Sequence, residues 1–272
     1  MMSLINEISQ LVQLVKEKKP LVHHITNYVT VNDCANMVLA LGGSPVMADD
    51  ITEVEEMVSF ASALVINVGT LNERTIQSMI VAGKKANELG VPVILDPVGV
   101  GATTLRTHTV KTLLKEVSFA VVRGNMSEIK MIAGLNVEIK GVDSIADEEN
   151  GVEIAKSLSA ELGSVVAITG AVDIIAKNER VCTISNGDRM LADVTGTGCM
   201  STSLIGTYAG ATPDYFLAAA AGIMTMGLCG ELAKQRLTEQ QAIGTFRVNL
   251  FDEVSKISAT SLLDGGKVNE VN

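Results

Sequence analysis

A chain of 272 residues that is 47% hydrophobic but only 3% aromatic, with no Trp, must build its core from aliphatic side chains and methionine, and it has enough of them for one large domain. A formal charge of −10 argues against nucleic acid or an anionic membrane as partner, but not against phosphate ligands, which backbone amides, a magnesium ion and one or two local cations can hold. Cys34, Cys182, Cys199 and Cys229 are widely spaced and form no C-x-x-C pair, which argues against a disulfide framework or a zinc site.

The opening Met1-Met2-Ser3-Leu4-Ile5-Asn6-Glu7 has no basic region followed by an apolar run, and the apolar stretch 218–228 is short and rich in small residues. A cytoplasmic protein with no membrane partner is expected. In chain order, short β-branched runs alternate with amphipathic segments: helix 4–17, strand 21–25, helix 31–41, strand 44–47, helix 52–61, strand 64–68, helix 73–89, strand 92–96, helix 104–115, strand 119–123, helix 151–162 and strand 165–169. Runs 172–176 and 181–184, joined by Lys177-Asn178-Glu179-Arg180, read as a hairpin, and Asn186-Gly187 marks a turn. Helices 197–210, 214–235 and 239–257 follow, and the tail from Leu263 onward reads as frayed. The alternation predicts a three-layer α/β sandwich: one domain over 1–272, its mostly parallel central sheet flanked by helices.

In such sheets ligands sit beyond the carboxyl ends of the strands. The chain Asp193-Val194-Thr195-Gly196-Thr197-Gly198-Cys199-Met200 carries glycines one residue apart ahead of a helix start. Unpaired amides at Thr197, Gly198 and Cys199 would converge there with the positive end of the helix dipole, a site for developing negative charge with a thiol at its mouth. Close helix–strand packing explains the same glycines equally well.

Other strand ends add candidates. Asp96 could orient a magnesium-bound water or cap the turn before Pro97. Arg123 suits phosphate oxygens, and Asn125 and Glu128, three apart at a helix start, read either as magnesium-directed oxygens or as a capping pair. Thr169 with Gly170 could meet nucleotide phosphates or form a turn. Met47 reads either as an ordinary core residue or as the lining of an apolar pocket for a flat, sulfur-containing ring. His23 and His24 are adjacent in a strand and point to opposite faces, so they cannot share a metal; one on a polar face and one buried is expected.

Several stretches together resemble the hydroxyethylthiazole kinase family of the ribokinase-like superfamily: His24-Ile25-Thr26-Asn27-Tyr28-Val29, Gly43-Ser44-Pro45-Val46-Met47-Ala48, Ile66-Asn67-Val68-Gly69-Thr70-Leu71, Asp96-Pro97-Val98-Gly99, Arg123-Gly124-Asn125-Met126-Ser127-Glu128-Ile129, Thr169-Gly170-Ala171-Val172-Asp173 and Val194-Thr195-Gly196-Thr197-Gly198-Cys199. The resemblance implies ATP-dependent phosphorylation of the primary hydroxyl of 4-methyl-5-(2-hydroxyethyl)thiazole, in thiamine salvage. Met47 and Gly196 match thiazole-contacting positions, with Asn27 and Val29 nearby. Arg123 and Thr169 match ATP-contacting positions. Asn125, Glu128 and Asp96 fall where the superfamily organises Mg2+ and phosphates. A homotrimer with sites near subunit boundaries is implied too.

The chain has His24 where the family often has Asn, and Gly43 and Met126 where Ala is common. The wider superfamily commonly has a basic Asp where Cys199 stands. A free thiol, with a pKa of about 8.5 that a helix N-terminus lowers, cannot deprotonate a primary alcohol outright. A loose phosphoryl-transfer transition state asks little of a base, so Cys199 is expected to orient the hydroxyl or weakly accept from it, while the amides of Gly196, Thr197, Gly198 and Cys199 hold the phosphoryl group. A related small-alcohol kinase of hydroxymethylpyrimidine type and a cysteine-nucleophile enzyme are the rival readings.

Overall fold

The structure, a computed structural model, describes residues 3–135 and 150–271. Among the described residues nine strands form one sheet: β1 (Leu21–Ile25), β2 (Ser44–Val46), β3 (Ala63–Asn67), β4 (Val93–Asp96), β5 (Val121–Asn125), β6 (Val165–Thr169), β7 (Asp173–Lys177), β8 (Arg180–Ile184) and β9 (Val268–Val271). Their spatial order is β2-β1-β3-β4-β5-β6-β7-β8-β9, parallel from β2 to β6 and antiparallel from β7 onward.

Alternate residues of the parallel strands point to opposite faces, and both faces are buried. Val22, Val65, Ile94, Val121 and Val165 pack against α1 (Leu4–Lys18), α2 (Val31–Leu41), α8 (Thr197–Ala209), α9 (Tyr215–Gln235), α10 (Ile243–Lys256) and α11 (Ala259–Gly265). Ile25, Leu64, Ile66, Leu95 and Val122 pack against α3 (Val54–Phe60), α4 (Glu73–Leu89), α5 (Thr104–Glu116), α6 (Met126–Leu135) and α7 (Gly151–Leu162). The two cores make the three-layer sandwich that the alternating pattern predicted.

The same parity sorts the polar residues. His24, Asn67, Asp96, Arg123 and Thr169 lie an even number of residues from Val22, Val65, Ile94, Val121 and Val165 in their strands, and so share the face that α8 covers. α8 lies close to that face because Gly206 has no side chain: a Cβ there would sit 2.6 Å from Val65 Cγ2. On its other side Gly222 of α9 opens an equal space, a Cβ there meeting Ile205 Cγ1 at 2.6 Å. Gly206 stands over the middle of β3, and Gly210, nearer the end of α8, lies beside Ser62 just before that strand. α8 therefore runs opposite to the strands, and its N-terminus emerges over their carboxyl ends.

Several expectations need correction. The tail is not frayed: α11 packs on α1, and β9 pairs antiparallel with β8, with Lys267 N donating to Asn186 Oδ1 and Lys267 Nζ to Glu231. The expected strand 119–123 lies two residues later, the expected helix 239–257 begins at Ile243, and α6 joins the predicted elements. Both histidines are buried, because β1 is an internal strand; His23 Nε2 lies 2.7 Å from Ala48 O, and His24 Nε2 lies 3.0 Å from Ser203 Oγ. At 21 residues α9 has the length and hydropathy to cross a bilayer, but it is buried inside the protein.

Burial lowers the pKa of His24 to about 4. The unfolded chain then binds more protons than the native one between pH 4 and the ordinary value of 6.5, so stability rises with pH across that window and falls on acidification through it. Urea denaturation at pH 4.5 and pH 7 should show His24→Gln losing this share of the acid sensitivity, worth up to about 3 kcal/mol.

Candidate active site

The turn ahead of α8 has the backbone conformation that its glycines permit. Gly196 caps the helix at φ +85, where a Cβ would stand 2.2 Å from Thr30 Cγ2. Thr197 Oγ1 donates to Leu191 O at 2.8 Å, holding the turn, and Met200 N donates to Gly196 O at 2.8 Å. The amides of Thr197, Gly198 and Cys199 precede the first carbonyl that α8 could offer them, so the helix leaves all three unsatisfied. Gly198 also makes room for Arg123: a Cβ there would lie 2.7 Å from the guanidinium Nη1. Both readings of the glycine pair are thus realised. One glycine shapes the turn, and the other lets an arginine press against it.

Beneath the turn lies a polar network. β3 and β4 end in register at Asn67 and Asp96, and Asn67 Nδ2 donates to Asp96 Oδ2 at 2.7 Å. Thr202 Oγ1, one helical turn into α8, donates to the same oxygen at 3.0 Å. Asp96 is wholly buried, yet among the described residues its Oδ1 has no hydrogen-bond partner; Arg123 Nη1 lies 3.6 Å away. Burial raises the Asp96 pKa, opposed by Arg123 and reinforced by Glu128. Cys199 Sγ receives hydrogen bonds from Asn67 Nδ2 at 3.2 Å and Asn27 Nδ2 at 3.4 Å. Its pKa is raised, first by burial and then by the Asp96 charge, against the lowering expected from the helix terminus alone.

On the other side of Gly198, Arg123 Nη2 donates to Thr169 Oγ1 at 2.6 Å. The two side chains open on a cavity of about 540 Å3 that Thr197, Gly198 and Ser201 also line, a volume in the range of small-ligand pockets. Asp173 lines it as well; burial lifts its carboxyl to about 6, while its Oδ1 accepts from Gly170 N. The loop Asn186–Gly187 closes the far wall, held by Glu231, whose Oε1 accepts from Gly187 N at 2.8 Å.

Asn125 and Glu128 form a reciprocal capping pair: Glu128 N donates to Asn125 Oδ1 and Asn125 N to Glu128 Oε2, each at 2.9 Å. Glu128 Oε1 accepts from Gly99 N at 2.9 Å, tying α6 to the loop after Asp96. The capping alternative therefore describes their geometry. Neither residue lines the 540 Å3 cavity, nor do Asp96, Gly196 and Cys199. Met47 is half-buried just beyond β2, whose pairing with β1 sets it beside the strand that leads to Asn27; Val29 is 57% exposed on the following loop.

Four residues with structural weight here were given no role from the sequence. Asn67 and Thr202 complete the Asp96 network, Asp173 lines the cavity, and Arg106 donates to Val98 O and Gly69 O, joining the loops that follow β4 and β3. Strand parity would have found Asn67, since it ends an apolar run as Asp96 does.

Unpaired helix amides and a guanidinium border a ligand-sized cavity on a mostly parallel sandwich, an arrangement that suits an anionic ligand, and the fold is of the ribokinase-like class. The fold is that of the pyridoxal kinase from Staphylococcus aureus in complex with AMP-PCP (TM-score 0.59, 12% identity, covering 76% of this chain and 86% of that one). It matches far more closely the hydroxyethylthiazole kinase protein from Pyrococcus horikoshii OT3, at TM-score 0.90 and 37% identity over 98% of this chain and 99% of that one. The hydroxyethylthiazole kinase of Alkaliphilus oremlandii is 54% identical over 271 residues, 99% of this chain and 100% of its own length. The model of the Hydroxyethylthiazole kinase family matches residues 12–260. The chain belongs to the hydroxyethylthiazole kinase family and is a phosphotransferase.

Replacing Gly196 by Ala meets both a left-handed backbone and the Thr30 methyl group. Thermal unfolding should register a loss of more than about 1 kcal/mol, and kinase activity should fall with it. Adding Thr30→Ser removes the methyl clash and should recover only part of the loss, because the backbone strain remains.

Proposed function

We propose that the protein transfers the γ-phosphoryl group of ATP to the primary hydroxyl of 4-methyl-5-(2-hydroxyethyl)thiazole, yielding the thiazole phosphate and ADP in thiamine salvage. The observation that carries this reading is that the unsatisfied N-terminus of α8 and the Arg123 guanidinium border one cavity, which Thr169 shares. In this reading Arg123, Thr169 and Asn125 serve the nucleotide, its phosphates pointing toward Gly198. The thiazole occupies the opposite side of the turn, against Met47, Gly196, Asn27 and Val29.

The reacting groups then meet at the turn. The amides of Thr197, Gly198 and Cys199 receive the charge that develops on the transferring phosphoryl oxygens, already oriented before reaction. Arg123 adds a fixed cation, and the acceptor hydroxyl lies against Cys199. With its pKa raised, Cys199 stays a thiol at neutral pH, which weighs against a cysteine nucleophile and against a thiolate base. Positioning and charge neutralisation supply the rate.

Asp96 and Glu128 are the carboxylates proposed for Mg2+. The buried Oδ1 of Asp96 without a partner suits a nearby cation, directly or through water. Among the described residues no group of three or more His, Cys, Asp or Glu could hold a metal ion, so the cation would rest chiefly on nucleotide phosphates and water. When bound it would neutralise phosphate charge.

A homotrimer is proposed on the family resemblance, supported by Tyr28 and Val29, 80% and 57% exposed beside Asn27 at the edge of the acceptor site. Light scattering should give three times the 28.6 kDa chain mass. A cytoplasmic setting suits the four free thiols.

With ATP, magnesium and the hydroxyethylthiazole, ADP should form together with a product heavier by one phosphoryl group, and ADP formation should stop when the alcohol is omitted. Hydroxymethylpyrimidine in its place should turn over far more slowly. Cys199→Ala should lower kcat about tenfold and leave measurable activity, the scale of an orienting contact. A loss as complete as omitting ATP would restore an obligate base.

A further inference from the structure

The Cys199 sulfur is held from two sides by carboxamides. Asn27 belongs to the acceptor site proposed above, while Asn67 has no assigned role. The orientation of both amides follows from their oxygens. Asn27 Oδ1 accepts from Thr30 N and Thr30 Oγ1, each at 3.0 Å. Asn67 Oδ1 accepts from Gly69 N at 2.9 Å and from Asn27 Nδ2 at 3.0 Å. Turning Asn67 over would set its carbonyl oxygen 2.7 Å from the Asp96 carboxylate in place of the donor now there.

With those orientations fixed, every amide hydrogen has a destination. Asn67 Nδ2 directs one to Asp96 Oδ2 and the other to Cys199 Sγ. Asn27 Nδ2 directs one to Asn67 Oδ1 and the other to the same sulfur. Asn67 and Asn27 are buried, with 1% and 4% of their surface exposed. Gly69 allows the approach, since a Cβ there would lie 2.9 Å from both Asn27 Cβ and Asn67 Oδ1. The chain Asp96–Asn67–Cys199 is thus a rigid strut between the strand ends and the first turn of α8.

We infer that Asn67 is a positioning residue for phosphoryl transfer: clamped with Asn27 and anchored on Asp96, it fixes the Cys199 sulfur as the acceptor of two N–H bonds, so that the thiol proton, which the neighbouring Thr30 hydroxyl can accept in the free protein, turns to the acceptor hydroxyl when substrate is bound. The thiol then donates to one lone pair of the hydroxyl oxygen and orients it; the other lone pair forms the new O–P bond as the bond from phosphorus to the ADP oxygen breaks, and the hydroxyl proton leaves late, to an oxygen of the transferred phosphoryl group and not to sulfur. This rests on the acceptor hydroxyl lying beside Cys199, as proposed above.

Two measurements on the full chain test it. The first is iodoacetamide labelling of Cys199 at pH 8 without substrate, followed by the mass of its peptide; Cys34, Cys182 and Cys229 are buried and react slowly. N–H bonds to sulfur favour the thiolate, so Asn67→Leu, similar in shape but without donors, should slow labelling about tenfold, the equivalent of about one pKa unit. Asn67→Ser serves if the leucine variant fails to fold. An unchanged or faster rate in a folded variant overturns the clamp.

The second is a double-mutant cycle on kcat. Asn67→Leu should lower kcat about tenfold while the KM for ATP stays within about twofold, and in a Cys199→Ala background the same change should cost less than about threefold, because both act through one sulfur. An equal loss in the two backgrounds overturns the proposal and assigns Asn67 to Asp96 alone. If the thiazole is not the substrate, labelling still responds to Asn67 although the thiazole-dependent rate is absent, which separates that failure from this one.

Discussion

The close approach of α8 to the sheet is the constraint on which the site depends. Gly206 lets the helix backbone lie against Val65, and Gly222 lets α9 press it from behind. A helix packed so closely, running opposite to the strands, presents its N-terminus over their carboxyl ends, where a parallel sheet leaves side chains without a next strand residue to cover them. Thr202 and Ser203 then reach down to Asp96 and His24, tying the helix to two strands at the depth of the site. A side chain at position 206 or 222 would lift the helix, and the network from Asn27 to Arg123 would lose its upper half.

Two opposing fields meet at Cys199. The helix terminus favours negative charge, while the buried Asp96 carboxylate and the loss of solvent disfavour it, and the second pair wins. The result is a neutral thiol beside a turn of amides that the helix leaves unsatisfied. That division suits a site that must attract phosphate without placing a permanent anion against it. In the proposed reading the cation at close range is Arg123, which is itself only partly satisfied: among the described residues its Nε has no partner, and its contact with Asp96 is 3.6 Å. An ion pair held apart in this way keeps hydrogen-bonding capacity for a ligand.

Much of this was legible in the sequence. The alternation of apolar runs with amphipathic segments gave the layers, and the glycine pair at 196 and 198 marked the turn. The Asn125/Glu128 spacing left capping and metal binding open, because one geometry serves both. The buried histidines were misjudged because an internal strand of a parallel sheet has no polar face. Asn67 was passed over because it fell inside the expected strand 64–68, and its weight shows only once its register with Asp96 is known. The C-terminal strand carries Asn269 and Glu270 among few apolar residues, and its existence depends on pairing with β8, which local composition does not encode.

That last strand has a consequence for handling the protein. Lys267, just ahead of it, donates to Asn186 and Glu231, the two side chains that brace the far wall of the cavity. Residues 267–271 are thus a structural strap behind the cavity, far in sequence from the turn at Gly196. A truncation that removes residues 267–271 would release that strap and with it the brace on Asn186 and Glu231.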